Sequence, residues 1–142
     1  MSKSDVFEND LLKLIFNGTA IAGLADNAAS GPLTNLYISL HTADPGEAGT
    51  QTTSEATYTG YARVALARTA AGWVVTGNSV SPAALVNFPA CTAGTNSCGF
   101  LAVGTLATGA GKVLYSGTIS PAIAAQAGVT PQLTTSTVIT ED

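Results

Sequence analysis

The chain has a single histidine, which two carboxylates follow closely, and this is the one cluster whose residue types suit acid–base or metal chemistry. His41, Asp44 and Glu47 lie within seven positions of one another. A zinc site needs three or four converging ligands, and Pro45-Gly46 turns the chain between the two acids. We therefore expect a strand end and a turn here, with no catalytic site, no metal and no cofactor. A cation on the two acids and backbone carbonyls is the alternative, although the spacing is unlike an EF-hand.

Two other sequence motifs that would indicate catalysis are absent or incomplete. No serine lies in a G-x-S-x-G elbow. The segment GTLATGAGKV (104–113) departs from a phosphate-binding loop, because Leu106 replaces the first glycine and Val113 replaces the magnesium-binding Ser or Thr. It also lies between two predicted strands. We predict a hairpin turn over residues 107–111, and the protein is not expected to be an enzyme.

The two cysteines, Cys91 and Cys98, are separated by TAGTNS. This spacing is not a zinc signature, and the chain has no second pair. Two free thiols are the default in a cytoplasm. A disulfide is the alternative, and it requires the loop to bring the two Cα atoms to roughly 5.5–6 Å.

Low charge is the main feature of the composition. Charged residues make up 10% of the 142 residues, against about 25% in a typical soluble domain. The net charge is −4 and the five basic residues are scattered, so no nucleic-acid partner and no membrane surface is expected. Apolar residues are dispersed, with no run near the roughly 18 that span a bilayer. Such a surface suits a subunit packed against copies of itself, and we expect a homo-oligomer.

The N-terminal residues predict an amphipathic helix within residues 1–18. Ser4 is a suitable N-cap and Asn17-Gly18 a suitable stop. The predicted apolar face comprises Phe7, Leu11, Leu14 and Ile15. The segment has no basic region leading into an apolar stretch, so we expect no secretory signal and expect synthesis in a cytoplasm.

The rest of the chain predicts a mainly β fold. Residues 19–34 read as a loop, after which Leu36, Ile38 and Leu40 alternate with polar neighbours. About eight short strands are predicted from Leu36 onward, the last over Leu133 to Thr140, and they are separated by Gly, Pro, Asn and Ser. Residues 120–131 are predicted as a helical turn or a crossover between sheets. We therefore expect one domain over 1–142, with an antiparallel β-sandwich or jelly roll over 35–142.

Partner contacts are expected on the helix, on the acidic C-terminal strand and in the polar loop over residues 42–59, which leaves the sheet between two strands. The candidate contact residues are Phe7, Leu11, Ile15, Asp44, Glu47 and Glu55.

Three segments resemble a group of small tailed-bacteriophage and prophage virion proteins. They are NLYISLHTADPGEAG (Asn35 to Gly49), SEATYTGYARV (Ser54 to Val64) and GWVVTGN (Gly72 to Asn78). The resemblance runs from about Leu11 to the C-terminus, and it implies a non-enzymatic structural role in the virion and a jelly-roll module. No catalytic residues come with the family.

From this resemblance we expect a capsid decoration (cement) protein, a homotrimer that stabilises the shell by contacting the major capsid protein. The first alternative is a tail fibre or appendage protein that contacts tail proteins and acts in host attachment. The second is a small carbohydrate- or cation-binding module.

Overall fold

A computed structural model describes residues 3–21, 24–25 and 32–141 of the chain. Every strand pair with a described register is antiparallel. The predicted fold class, mainly antiparallel β, consistent with a sandwich and preceded by one short helix, is therefore confirmed. Among the described residues the elements are α1 Asp5–Asn17, β1 Asn35–His41, β2 Val64–Ala67, β3 Trp73–Thr76, β4 Ser79–Pro82, β5 Val86–Asn87, β6 Thr95–Gly104, β7 Val113–Gln126, β8 Gln132–Leu133 and β9 Ile139–Thr140.

The chain forms two compact units. The first comprises residues 1–35, 66–85 and 134–142, and the second comprises 36–65 and 86–133. The single domain expected from chain length stays a prediction. Of the predicted loop over 19–34, residues 22–23 and 26–31 lie outside the described part of the chain.

Helix α1, in the first unit, begins and ends where the sequence predicts. Ser4 is the extended N-cap, and its Oγ accepts a hydrogen bond from the Phe7 N–H at 3.4 Å. Gly18 ends the helix with a left-handed φ of 65°, a conformation that costs glycine little. Asp5 and Glu8 in the first turn place negative charge at the positive end of the helix dipole.

The apolar face predicted for α1 is not the face that the helix buries in its own unit. The helix buries Glu8, Leu12 and Phe16, whereas Phe7 is 38% exposed. The ring of Phe16 packs edge-on against Trp73 at a centroid distance of 4.6 Å. Two apolar stripes lie side by side on this helix, and periodicity alone cannot tell which of them a sheet will cover.

Arg68 ties the C-terminal end of α1 to the rest of the first unit. Its guanidinium donates to the backbone oxygens of Leu14 and Ile15, with 2.6 Å to Ile15. These carbonyls have no partner within a helix that stops at Asn17, and a cation there also complements the dipole. The three-stranded sheet β3–β4–β9 completes this unit.

The second unit contains most of the larger sheet, in the order β2–β1–β6–β7, and the small sheet β5–β8. Leu36, Ile38 and Leu40 of β1 are at most 1% exposed, as their alternation predicts. The pairing of Gly104 with Val113 confirms the hairpin predicted over 107–111.

Two element predictions in the C-terminal part are wrong. Residues 120–131 were expected to form a helical turn or crossover, but β7 continues to Gln126 because residues 123–126 pair with 95–98 of β6. The single strand expected from Leu133 to Thr140 is two short strands in different sheets, β8 and β9. In the described residues, no helix has both the length and the apolar character needed to cross a membrane.

Candidate functional site

His41, the last residue of β1, is fully buried and bonded on both ring nitrogens. Nδ1 lies 2.8 Å from the backbone oxygen of Thr53, and Nε2 lies 2.8 Å from the Oγ of Ser39. A carbonyl only accepts, so Nδ1 carries the proton and Nε2 accepts from the Ser39 hydroxyl. Ser39 and His41 are each 0% exposed. The pair is thus placed to fix the polar loop to the strand, and it is not placed to meet a substrate.

Burial lowers the pKa of His41, which predicts a loss of stability on acidification. Below about pH 6.5 the unfolded chain binds a proton at this histidine that the folded chain does not, and stability falls with pH wherever that holds. Between about pH 6.5 and the lowered pKa, the free energy of unfolding should fall by up to about 1.4 kcal/mol per pH unit. Urea titrations across this range should show the slope in the wild type and a flatter profile in His41→Gln. Equal slopes would contradict the assignment of the effect to His41.

Asp44 and Glu47 do not converge on His41. Asp44 Oδ1 accepts from the Gly46 N–H at 3.0 Å, which is the turn that the sequence predicts, and from the Ser116 hydroxyl at 3.2 Å. Within residues 3–21, 24–25 and 32–141, no group of three potential metal ligands lies together. The two acids instead line a surface pocket of about 370 Å³ with Gly46 and with residues 113–116 of β7.

Glu55 lies inside the second unit, in an ion pair with Arg63. The guanidinium donates to both carboxylate oxygens, with Nε–Oε1 at 2.7 Å and Nη2–Oε2 at 2.8 Å. The Arg63 side chain is 3% exposed and that of Glu55 is 15% exposed. The bond to Glu55 raises the pKa of Arg63 further above its usual value.

Arg63 and Tyr61 extend this pair to neighbouring segments. Arg63 also donates to the backbone oxygens of Leu106 and Gly109, at 2.9 and 2.8 Å, which binds the β6–β7 hairpin. The Tyr61 hydroxyl donates to Glu55 and accepts from the Leu40 N–H, each at 3.0 Å. Burial raises the pKa of Tyr61. The network therefore joins β1, the polar loop and the hairpin.

Gln51 is the second residue that fixes the polar loop. Its side chain is 0% exposed and lies between Gly104 and Gly111. The side-chain Oε1 of Gln51 accepts from the Leu106 N–H at 3.0 Å. The backbone N–H of Gln51 donates to the backbone oxygen of Gly111 at 2.9 Å. The glycines of the GTLATGAGKV segment thus make room for a glutamine, not for a phosphate.

Neither Arg63 nor Gln51 was among the candidate residues predicted from the sequence. An arginine next to apolar strand residues, in a chain with few charges, was a usable signal for a buried ion pair. Gln51 carried none, because a glutamine in a Thr-rich stretch looks like an ordinary loop residue.

The other candidate residues are not brought together. Phe7 is exposed, while Leu11 and Ile15 are half-buried, so contact of this stripe with a partner stays a prediction. Cys91 and Cys98 are buried free thiols. The Cys91 thiol donates to the backbone oxygen of Ala93 at 3.3 Å, and burial raises the pKa of Cys98. The disulfide is not formed in this structure, and oxidation at a later stage stays a prediction.

Comparison with known proteins identifies the family to which the chain belongs. No curated protein matches the chain. One family model does match, that of Gp80, described as "Podophage GP4 fiber I protein gp80", and it covers residues 2–141. The match therefore includes the buried network, the pocket and the helix. The chain belongs to this family of podophage fibre proteins, and it is a structural protein of a phage virion.

Proposed function

We propose that the protein is a subunit of a tail fibre or fibre-like appendage of a podophage. The observation that carries the proposal is the match of the fibre family over residues 2–141, which is nearly the whole chain. Membership therefore does not rest on one shared module.

The expectation of a capsid decoration protein is not supported. The family description names a fibre and not a component of the shell, so the tail alternative fits better. Low charge and a β fold suit either position, because both kinds of subunit spread uncharged contacts over a neighbour. The composition therefore could not separate them.

We also propose that the role is structural and not enzymatic. The Ser39–His41 pair is buried, whereas Asp44 and Glu47 line the surface pocket beside β7. Glu55 forms an ion pair with Arg63. The residues that acid–base chemistry would need are thus distributed over separate contacts, each of which holds the loop.

Assembly as a homotrimer, with other tail proteins as neighbours, is part of the same proposal. The support is the charge content of 10%, since a subunit that stays in an assembly has less need of surface charge for solubility. Closed cyclic symmetry is the usual arrangement of identical subunits.

Quantitative mass spectrometry of purified particles tests the location. A tail subunit should be found in the tail fraction, at a copy number far below that of the major capsid protein. Empty capsids separated from their tails serve as the control and should lack the protein. Recovery with the tail-less capsids, in amounts comparable to the shell protein, would instead identify a decoration protein.

A further inference from the structure

Strand β7 is the last strand of its sheet, and its first half lacks the usual protection of a sheet edge. It runs for 14 residues, Val113–Gln126, and contains no charged residue. Exposed edges are normally blunted by charges, bulges or proline, because their free backbone groups can pair with another chain. An irregularity over residues 119–122, with Pro121, interrupts the second half of β7. The first half, residues 113–118, remains regular apart from the shift near Val113.

The direction of the backbone groups on β6 follows from contacts on β1. Leu40 donates its N–H to the Tyr61 hydroxyl, and its oxygen accepts from the Ala56 N–H at 2.8 Å. Both groups therefore point away from β6. Leu40 and its β6 partner Leu101 then form a non-hydrogen-bonded pair, so that the N–H and C=O of Leu101 face β7.

The same alternation determines which groups of β7 are free. Leu101 pairs with Gly117, so Gly117 bonds β6, while its neighbours Ser116 and Thr118 direct their N–H and C=O groups outward. No backbone partner for these outward groups is present among residues 3–21, 24–25 and 32–141.

The pocket beside β7 runs along this edge. Four consecutive residues of the strand, 113–116, line it together with the acidic loop at Asp44, Gly46 and Glu47. Side chains of a strand alternate between its two faces, so consecutive residues share one pocket where that pocket follows the edge. Ser116, whose backbone groups point outward, thus lines the same groove as Asp44 and Glu47.

We propose that an extended segment of another virion protein, carrying a lysine, adds to the sheet as a strand beside residues 113–118 of β7. Backbone bonds to Ser116 and Thr118 would supply affinity, and a basic side chain would pair with Asp44 or Glu47. The proposal rests on the proposed function, because it takes the partner from the assembled particle.

A second copy of this chain does not fit the groove. Of its five basic residues, Lys3 forms an ion pair with Glu141 and Lys13 lies in helix α1. Arg63 and Arg68 are bound to oxygens inside the chain. Lys112 directly precedes β7 itself. Lys112 is exposed, but a second copy could bring it to the carboxylates only by pairing its own β7 with this edge, which would form a twofold dimer and not the proposed trimer. The incoming strand is therefore assigned to a different protein.

Zero-length cross-linking of purified particles with a carbodiimide, which joins carboxylates to lysine amines, tests the proposal. We expect links from Asp44 or Glu47 to a lysine of another virion protein. The link between Lys3 and Glu141, whose charged atoms are 3.0 Å apart, is the internal positive control. Recovery of the control link without any link from the two acids to another protein overturns the proposal, as does a link to Lys13 of a second copy. If purified wild-type particles do not contain the protein at all, that result contradicts the proposed function and not the strand addition.

Two variants separate strand addition from simple charge attraction. Thr118→Pro removes one outward N–H but no bond to β6, since proline is tolerated at such an edge position, and Thr118→Val is its matched control. Asp44→Asn with Glu47→Gln removes both charges and keeps the turn acceptor. We expect about tenfold less protein per particle for Thr118→Pro and for the double variant, and no change for Thr118→Val.

A thermal melt of each isolated variant shows whether it folds. If Thr118→Pro does not fold, the double variant decides, and normal incorporation of that variant overturns the proposal. Normal incorporation of a folded Thr118→Pro also overturns it. If only the double variant loses incorporation, charge attraction to a cationic surface of the particle accounts for the binding, and the added strand is overturned.

Discussion

Replacing Arg63 with methionine should lower the free energy of unfolding by about 3–5 kcal/mol. The guanidinium is 3% exposed and makes four hydrogen bonds, two to the Glu55 carboxylate and two to backbone oxygens of the β6–β7 hairpin. Methionine fills part of the volume but leaves a mostly buried carboxylate without its counter-charge. Urea unfolding followed by tryptophan fluorescence and by circular dichroism measures the change.

Two controls distinguish loss of this network from loss of any positive charge. Lys112→Met removes an exposed charge from the same hairpin and should change stability by no more than about 0.5 kcal/mol. Glu55→Gln in the Arg63→Met background removes the stranded charge but keeps an acceptor for the Tyr61 hydroxyl, so the double variant should be more stable than Arg63→Met alone. A double variant that is less stable than the single one would mean that packing, and not the unpaired charge, dominates.

The elements that depend on local signals were predictable. Ser4 and Gly18 define helix α1 because caps act within one turn of the chain. Strand β1 was predictable because Leu36, Ile38 and Leu40 alternate with neighbours of different character, although Ser39 and His41 on the other face are buried as well. The turn at Asp44 was predictable as well, since Asp, Pro and Gly each favour it for a separate physical reason.

The features that depend on distant residues were not predictable. Whether Phe7 or Phe16 faces the core depends on where Trp73 lies, 57 positions after Phe16 in the sequence. Residues 123–126 become a strand because 95–98 pair with them, although their alanines suit a helix equally well. The ion pair of Arg63 requires a hairpin more than 40 residues away to supply two carbonyls.

In the candidate site, too, local signals were predictable from the sequence and contacts with distant residues were not. From the sequence, Asp44, Glu47 and Glu55 were equivalent surface acids. In the structure, Glu55 forms an ion pair with Arg63, while Asp44 and Glu47 line an open groove. Only the strand order, which makes β7 an edge, makes the two loop acids part of the proposed binding surface.

Replacing Gly104 with alanine should cost about 2–3 kcal/mol of unfolding free energy, because the new methyl group takes the place of the Gln51 side chain. A Cβ at Gly104 would lie 2.1 Å from the Gln51 Cδ and 2.5 Å from its Cγ. Gln51 is 0% exposed, and Gly111 packs against it from another side, so the amide has no room to retreat. Its hydrogen bond to the Leu106 N–H would be lost as it moves.

The cause can be isolated by removing the group with which the methyl collides. Gln51→Ala should itself be destabilising by about 1–3 kcal/mol, but in that background Gly104→Ala should cost less than about 1 kcal/mol, because the atoms it would meet are gone. Gly117→Ala is the matched control: a Cβ there meets no heavy atom within 4 Å, and alanine should leave stability unchanged or raise it by up to about 1 kcal/mol. If Gly104→Ala costs the same with and without Gln51, the glycine is required for a reason other than the close approach of this side chain. The packing of Gln51 against Gly104 would then not be what holds the hairpin to the polar loop.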